Sequence, residues 1–272
     1  MAAPNGEITS VTAAWAPLGR SRLREDGFTR FQGAGYGGID CAPRDFADLR
    51  AAFDDLPRDP HAPGSNRHRR YSQAVYLPWS DTLSWIPEAT DPVLGPVAEY
   101  WQDTFNPDFP GLRRKFPALR AGLKENGLLC ELIRANVGHV LWHDELARSP
   151  VYVGVHLIKL AVGGPDEVAV SSPDCLHQDG GRSMFTFAHL VTNDNVDGGE
   201  NVIAAPGCAG MLPDAVAFED VLARFRLTAP LDGYAVHDAR VSHYVSPVRG
   251  AGGAAGSRGV VIMGIAPMSA QF

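Results

Sequence analysis

A histidine and an aspartate two residues apart, His177 and Asp179, are the side chains in this sequence best placed to do chemistry together. In an extended strand, residues i and i+2 point to the same face, so one imidazole and one carboxylate would project into the same space. A second imidazole from elsewhere would complete a set of two histidines and one carboxylate, which suits non-haem Fe(II). The motif alone is equally compatible with a surface turn, because Gly180 and Gly181 follow at once.

The second imidazole is expected to be His243, which lies 66 residues after His177 (243 − 177) in another strand-like segment. In a rolled-up double sheet, strands far apart in sequence become neighbours, so this separation is compatible with a shared site. Arg258 opens the last apolar strand and could bind a dianionic co-substrate such as 2-oxoglutarate, because a guanidinium binds a carboxylate in a bidentate manner. Arg249 is the alternative cation.

Three other side chains could compete for a metal. Cys175 shares a strand face with His177, but a soft thiolate suits zinc or copper better, which favours a buried, inert cysteine. His237 competes with His243, and we assign it a structural role because small apolar residues fill the next positions on its strand face. His189 is interpreted as a strand histidine without chemistry.

The candidates for substrate binding are His156, Arg70 and Glu200. If the substrate is a free amino acid, its carboxylate could be bound by Arg70, which precedes the strand-like segment 71–77, or by Lys159. Glu200 could accept from its ammonium group or could be a solvated turn residue. His156 and Lys159 are an odd number of residues apart, so at most one of them faces a common pocket.

The part of the chain that follows residue 127 is rich in short apolar segments. Glycine, proline or Asn/Asp clusters separate them, which is typical of strands. Many short strands without intervening helices predict a sandwich or barrel-like β fold. The predicted strands are 128–137, 151–162, 168–172, 184–192, 201–205, 224–228, 234–237, 241–248 and 259–265.

The preceding part of the chain shows helical patterns instead. Apolar residues recur at helical spacing in 44–56, and further helices are predicted over 91–105, with Asp91 or Pro96 as the start, and over 112–124. These helices would form a layer against the sheet. We therefore predict a mainly β (α+β) protein.

Its organisation is expected to be a lead-in segment, 1–40, followed by a single domain, 41–272. The domain would consist of a helical elaboration, 41–127, and a β core, 128–268. A glycine-rich run, 33–38, ends the lead-in and lacks the Gly-Lys-Ser/Thr of a phosphate loop, so it is predicted to be flexible.

Composition and charge exclude several classes of function. The chain has 272 residues and a formal net charge of −7, which argues against a nucleic-acid surface as the main partner. No apolar run reaches the roughly 18 residues of a membrane span, and the N-terminus lacks the pattern of a signal peptide. The four cysteines are widely spaced without a Cys-x-x-Cys motif, which argues against a disulfide scaffold. We expect a cytoplasmic protein that acts on a small molecule, with a homo-oligomer left open.

Four sequence blocks in one order resemble a known family over roughly residues 55–268. The chain is similar to the bacterial 2-oxoglutarate/Fe(II) dioxygenases that include L-isoleucine 4-hydroxylase and related free amino-acid hydroxylases. The blocks are His177-Gln-Asp-Gly180, Leu190-Val-Thr-Asn-Asp-Asn-Val-Asp-Gly-Gly-Glu200, His243-Tyr-Val-Ser-Pro247, and Arg258 before an apolar strand.

The resemblance implies a double-stranded β-helix (jelly-roll, cupin-like) core with N-terminal helices packed on one sheet. His177, Asp179 and His243 would bind iron, and Arg258 would bind 2-oxoglutarate. His156 takes the place of a pocket histidine, although many family members have His-x-x-Arg where this chain has His156-Leu-Ile-Lys159. Where the family tends to show two acidic residues this chain has His237-Asp238. Both departures concern the substrate rather than the metal.

The implied activity is hydroxylation of an unactivated C–H bond of a free amino acid or amino-acid derivative. Fe(II), 2-oxoglutarate and O2 would be the cofactors, succinate and CO2 the co-products, and ascorbate an optional stimulant. Desaturation or ring closure in a specialised-metabolite pathway is the alternative within the same chemistry. Alternatives of another class are a non-catalytic jelly-roll that binds a small ligand and a zinc hydrolase with the same ligands.

Overall fold

The computed structural model describes residues 22–33, 42–102, 107–180 and 183–268. Strands dominate these ranges. The helices are α1 (Leu23–Asp26), α2 (Pro43–Ala51), α3 (Ala121–Lys124), α4 (Gly127–Gly138) and α5 (Asp144–Arg148). The strands are β1 (Phe28–Phe31), β2 (Arg67–Leu77), β3 (Thr82–Trp85), β4 (Ala89–Asp91), β5 (Gly95–Tyr100), β6 (Arg114–Pro117), β7 (Val151–Val162), β8 (Phe185–Asp194), β9 (Val196–Gly198), β10 (Glu200–Ala204), β11 (Val221–Arg226), β12 (Gly233–His237), β13 (Ser242–Val245), β14 (Val248–Gly250) and β15 (Gly256–Pro267).

A seven-stranded antiparallel sheet, here called the main sheet, organises the molecule in the order β1-β12-β8-β15-β7-β2-β3. Its two longest strands, β7 and β15, pair from Val162 with Gly256 to Val151 with Pro267. β-branched and aromatic residues are frequent in these strands, as expected for a pleated surface that packs on both sides.

Alternate residues of these strands belong to two different cores, because neighbouring side chains point to opposite faces. On the outer face, Val153 and Val155 of β7 pack in one cluster with Leu128 and Leu132 of α4. On the inner face the next residues along, such as Ile158, pack toward the smaller sheets. Both faces are therefore covered, which explains why β7 is apolar throughout rather than alternately polar.

Smaller sheets cover the inner face. One has the order β11-β10-β13, and its residues Ile203 and Phe225 share a core with Leu190 and Val260 of the main sheet. A two-stranded sheet pairs β9 with β14, and a three-stranded sheet has the order β4-β5-β6. This arrangement of packed antiparallel sheets with few helices is the mainly β, double-stranded β-helix fold that was predicted.

Two predicted helices contain strands in the structure, and residues 103–105 of the first lie outside the described part of the chain. The prediction of a helix over 91–105 was wrong, because this segment contains the turn of the β4–β5 hairpin and the strand that follows it. The Asp91 carboxylate stabilises the turn, since it accepts from the amides of Val93 and Leu94 at 3.0 and 3.2 Å. Gly95 leaves this turn with a φ of 73°, which favours glycine. Segment 112–124 contains β6 followed by the four-residue α3.

The reverse error occurred over 128–137, a predicted strand that is α4 in the structure. Its start is an N-cap, since the Asn126 side chain accepts from the amide of Leu129 at 3.0 Å. A helix buried on a sheet is apolar on most sides, so its sequence is difficult to distinguish from a buried strand. The predicted strand 168–172 contributes only an isolated bridge, between Ala169 and Val248, within the described ranges.

The predicted boundary near residue 127 does not separate helices from strands. β2, from the predicted helical elaboration, pairs with β7 inside the main sheet. β1, from the predicted lead-in, pairs with β12 at the edge of that sheet. Most of the glycine-rich run 33–38 lies outside the described residues. Across the described part of the chain, helices of the length and hydropathy needed to cross a membrane are not found.

Candidate metal centre

His177 and His243 are brought together by the backbone. The two residues form an isolated antiparallel bridge, with the His177 amide donating to the His243 carbonyl at 3.0 Å and the reverse bond at 2.9 Å. His243 lies on β13, at the edge of the sheet that covers the inner face. Their rings are tilted by 54° with centroids 4.3 Å apart.

The backbone of Asp179 is held by a buried carboxylate that follows β12. The Oδ1 of Asp238 accepts from the Asp179 amide at 2.5 Å, and its Oδ2 accepts from the Gly180 amide at 2.8 Å. The Asp238 carbonyl accepts from the Gln178 side chain at 2.6 Å. Burial, and then the negative charge of Asp179, raise the pKa of Asp238 to about 7.

Three ligand atoms converge as a result. Asp179 lies 3.9 Å from Nε2 of His177 and 3.5 Å from Nε2 of His243, each measured to the nearer carboxylate oxygen. All three ligand atoms lie within 4.8 Å of one another. Nitrogen and oxygen ligands at about 2.0–2.2 Å from one ion lie roughly 3–4 Å apart, so the three side chains could bind a single metal ion.

Hydrogen bonding prepares these groups as ligands. The Nδ1 of His177 lies 2.9 Å from the Cys175 carbonyl, which can only accept, so Nδ1 donates and Nε2 is the ring nitrogen left to bind a metal. Burial lowers the pKa of His243 to about 4, which keeps that imidazole neutral near pH 7. Burial would raise the pKa of Asp179, but His243, His177 and a hydrogen bond from Thr186 outweigh it, so the pKa is lowered.

The Asp179 carboxylate has two further neighbours that sequence reasoning did not identify. Thr186 donates to its Oδ2 at 2.6 Å, and Gln102 donates to its Oδ1 at 3.1 Å. Arg114 in turn donates to the Gln102 side-chain carbonyl at 2.6 Å. Gln102 and Arg114 belong to the small sheet region that had been predicted as helices, and no local sequence pattern connects them to residue 179.

The candidate metal centre lines a cavity that is partly open to solvent. A second, smaller cavity adjoins it. The two cavities share lining residues and are therefore adjacent. The shared residues are Ile158, Ser171, Tyr234, Val245 and Ile262.

Arg258 lines the second cavity, on the inner face of β15. Its side chain is buried, and it forms no ion pair with the residues that the structure describes. Burial lowers its pKa to about 10. Gly199, with a φ of +65°, makes room for it, because a Cβ at that position would lie 2.9 Å from Cδ and Nε of Arg258. Arg249, the alternative cation, is exposed on β14.

His156 lines the cavity of the metal centre from the inner face of β7. Its ring stacks on Tyr71 with centroids 4.2 Å apart, and its Nδ1 lies 2.7 Å from a guanidinium nitrogen of Arg69. Because a guanidinium can only donate, Nδ1 accepts. Burial, and then Arg69, place the pKa of His156 well below its ordinary value. Lys159 points to the other face, where it donates to the Phe53 carbonyl at 3.1 Å.

Arg70 and Glu200 are not brought to this cavity. Arg70 is on the outer face of β2 and donates to the Ala118 carbonyl at 2.9 Å. Its neighbours Arg67 and Arg69 line the cavity instead, because β2 begins at Arg67 and odd-numbered residues point inward. Glu200 forms an ion pair with Arg224 at 3.2 Å.

The competing metal candidates lie elsewhere. His237 is on the outer side of the sheet, with its ring centroid 4.5 Å from that of Phe185. His189 lies 3.1 Å from the Asn136 side-chain oxygen. Cys175 contributes its carbonyl to His177, and its thiol is not in the converging group.

Comparison with known proteins gives one family match and several similar folds. Residues 50–264 match the model of the 2OG-Fe dioxygenase family. IDO from Bacillus thuringiensis has a TM-score of 0.71 at 15% identity, over 97% of this chain and 100% of that one. A bsmA homolog from Methylobium petroleophilum PM1 has a TM-score of 0.71 at 20% identity, over 99% and 96%. The Fe(II)/α-ketoglutarate-dependent dioxygenase TqaL has a TM-score of 0.71 at 13% identity, over 97% and 88%.

At these identities the likeness to solved structures concerns the fold alone. No curated protein matches the chain.

Proposed function

The chain belongs to the 2OG-Fe dioxygenase family, and from that premise we propose that it hydroxylates an unactivated C–H bond of a free amino acid or amino-acid derivative. The family implies Fe(II), 2-oxoglutarate and O2 as cofactors. The observation that carries the proposal is the convergence of His177, Asp179 and His243 on a cavity that lies beside the one lined by the buried Arg258. The resemblance of the sequence blocks to free amino-acid hydroxylases supports the substrate class.

In this proposal His177, Asp179 and His243 bind the iron. Two imidazoles and one carboxylate suit Fe(II) and leave coordination positions open for a co-substrate and O2. Bound Fe(II) would activate O2, the oxidant, so that one oxygen atom enters the substrate and the other enters the succinate that forms from 2-oxoglutarate with release of CO2. Asp238 fixes the backbone of Asp179 through a hydrogen bond, so the Asp179 carboxylate would need little rearrangement to bind the metal.

Arg258 is proposed to bind the distal carboxylate of 2-oxoglutarate. A buried guanidinium without a counterion is unfavourable, and a carboxylate would compensate its charge through two parallel hydrogen bonds. Tyr234 lines both cavities, and burial raises its pKa to about 12, so its hydroxyl stays protonated and can donate. Arg249 is disfavoured because of its exposure.

The substrate would occupy the cavity next to the candidate metal centre. Ile158, Val245 and Ile262 supply an apolar wall, and His156 supplies a neutral ring nitrogen that carries a hydrogen. Such a wall excludes water from the reacting carbon and orients an aliphatic side chain. Desaturation or ring closure would need the same positioning of the substrate, so only identification of the product distinguishes these reactions from hydroxylation. A cytoplasmic location stays a prediction from the sequence.

The test is formation of succinate from 2-oxoglutarate under air with Fe(II), without and with a panel of amino acids and their N-acyl derivatives. We expect succinate formation to rise with the correct substrate and to disappear in the His177→Ala variant. Mass spectrometry should detect a product 16 Da heavier, the mass of one oxygen atom. Absence of succinate throughout the panel, with Fe(II) bound, would favour the non-catalytic binding protein.

A further inference from the structure

Three buried arginines surround one wall of the cavity of the metal centre. Arg67, Arg69 and Arg114 are only 2%, 5% and 1% exposed. In the described ranges one carboxylate forms an ion pair with this group, since Asp59 lies 2.8 Å from Arg67. Charges are rarely buried without a partner, because removal from water is unfavourable unless an opposite charge compensates it. Asp59 pairs directly with Arg67 and acts on Arg69 and Arg114 only at longer range, so the three guanidinium groups carry more positive charge than this one carboxylate compensates.

Arg69 is the one of these two that lines the cavity. Its guanidinium carbon lies 4.1 Å from the Phe116 ring centroid and 5.0 Å from that of Tyr100. One terminal nitrogen donates to His156, and its Nε has no hydrogen-bond partner among the residues that the structure describes. The two aromatic rings and the imidazole thus hold the guanidinium in a fixed orientation, which lowers the entropy lost when it binds a planar anion.

The charge of Arg69 is separate from that of Arg258. Arg258 lines only the adjoining cavity, whereas Arg69 lines only the cavity of the metal centre. In the proposed binding mode 2-oxoglutarate would place its distal carboxylate on Arg258 and its other carboxylate at the metal, so neither carboxylate is assigned to Arg69. Among the described residues that line the metal-centre cavity, Asp179 is the one carboxylate, and it is a candidate metal ligand.

We infer that Arg69, held by His156, Phe116 and Tyr100, binds a carboxylate of the substrate. The inference rests on the proposed function, because it names the group by which the substrate of that site is recognised. The ligand class is a small carboxylic acid, which includes amino acids and their N-acyl derivatives. Because the described wall presents guanidinium groups and no carboxylate besides the candidate ligand, recognition depends on the anion rather than on an ammonium group.

The experiment compares acids with their carboxamides. The probes are the aliphatic L-amino acids, their N-acetyl derivatives and the corresponding amino-acid amides, titrated by calorimetry into protein loaded with Fe(II) and 2-oxoglutarate in the absence of O2. The variants are Arg69→Gln and the matched control Arg70→Gln, whose side chain lies on the opposite face of the same strand. Binding of 2-oxoglutarate is measured in each variant as a second readout.

In the parent protein at least one acid of the panel should bind, with its N-acetyl derivative bound comparably and its amide bound roughly 10- to 100-fold more weakly, as expected for a charge-assisted hydrogen-bonded pair. Arg69→Gln should abolish this preference for the acid without changing 2-oxoglutarate affinity. Arg70→Gln should retain it.

The inference is overturned if no acid binds, if acid and amide bind equally to the parent, or if Arg69→Gln retains the preference. If Arg69→Gln does not fold, equal binding of acid and amide by the parent still overturns the inference. These outcomes are distinct from a failure of the proposed function. Acid-selective binding without any succinate under air would leave Arg69 as a carboxylate site in a protein that does not oxidise its ligand.

Discussion

Replacement of Arg258 by methionine should weaken the binding of 2-oxoglutarate while leaving the unliganded protein at least as stable as the parent. The arginine is 5% exposed and has no ion-pair partner among the residues described. Methionine has a similar length, so it can fill the space beside Gly199 without the charge. The two effects have opposite signs because the same buried charge is unfavourable in the empty protein and favourable in the complex.

The magnitudes follow from the burial of this guanidinium. Its pKa falls from 12.5 to about 10, which corresponds to roughly 3 kcal/mol against the charged form at about 1.4 kcal/mol per pH unit. Removal of the charge could therefore stabilise the unliganded fold by up to about 3 kcal/mol. Loss of one partner from a buried charge pair costs about 2–5 kcal/mol, so the Kd of 2-oxoglutarate should rise by at least roughly 30-fold.

Two measurements check this prediction. Anaerobic calorimetry of 2-oxoglutarate binding to Fe(II)-loaded protein gives the Kd, and urea unfolding of metal-free protein gives the free energy of unfolding. Arg249→Met is the control, because that arginine is exposed on β14. The reasoning would be refuted by an unchanged Kd in Arg258→Met, or by a loss of affinity in Arg249→Met instead.

Three further changes should have measurable effects. Asp238→Ala removes the carboxylate that accepts from the backbone amides of Asp179 and Gly180. The affinity for Mn(II), measured by titration, should therefore fall roughly 10- to 100-fold, and an unchanged affinity would contradict this. Gly199→Ala places a Cβ 2.9 Å from the Arg258 side chain at a φ of +65°, and the KM for 2-oxoglutarate should rise. Burial lowers the pKa of His139 and His189 from 6.5 to about 4, so the unfolded chain binds protons first as pH falls. The free energy of unfolding of the metal-free protein should therefore decrease between pH 6.5 and 4, by about 1.4 kcal/mol per pH unit for each histidine, whereas a flat urea-unfolding profile would argue against it.

The candidate metal ligands could be predicted because their signal is local. His177 and Asp179 are two residues apart in an extended segment, and strand periodicity alone puts them on one side. His243 was found through the resemblance and through the expectation that distant strands meet in a rolled sheet. The structure gives the physical link, which is a pair of backbone hydrogen bonds between residues 177 and 243.

The substrate side of the cavity could not be predicted as well, because a change of one residue in the assumed face reverses every side chain of a strand. Arg70 was predicted to bind the substrate, because the strand was expected to begin at residue 71. The strand begins at Arg67, and Arg69 is the residue that faces the cavity. Gln102 and Arg114 reach the site from a small sheet whose segments had helical spacing. Such contacts depend on tertiary packing and leave no periodic pattern in the sequence.

The most direct test of the central claim is a crystal structure of the protein grown without O2 in the presence of Fe(II) and 2-oxoglutarate. We predict one iron atom bound by Nε2 of His177, a carboxylate oxygen of Asp179 and Nε2 of His243, with the distal carboxylate of 2-oxoglutarate on Arg258. Iron bound at other residues, or these three side chains turned away from a common point, would contradict the account.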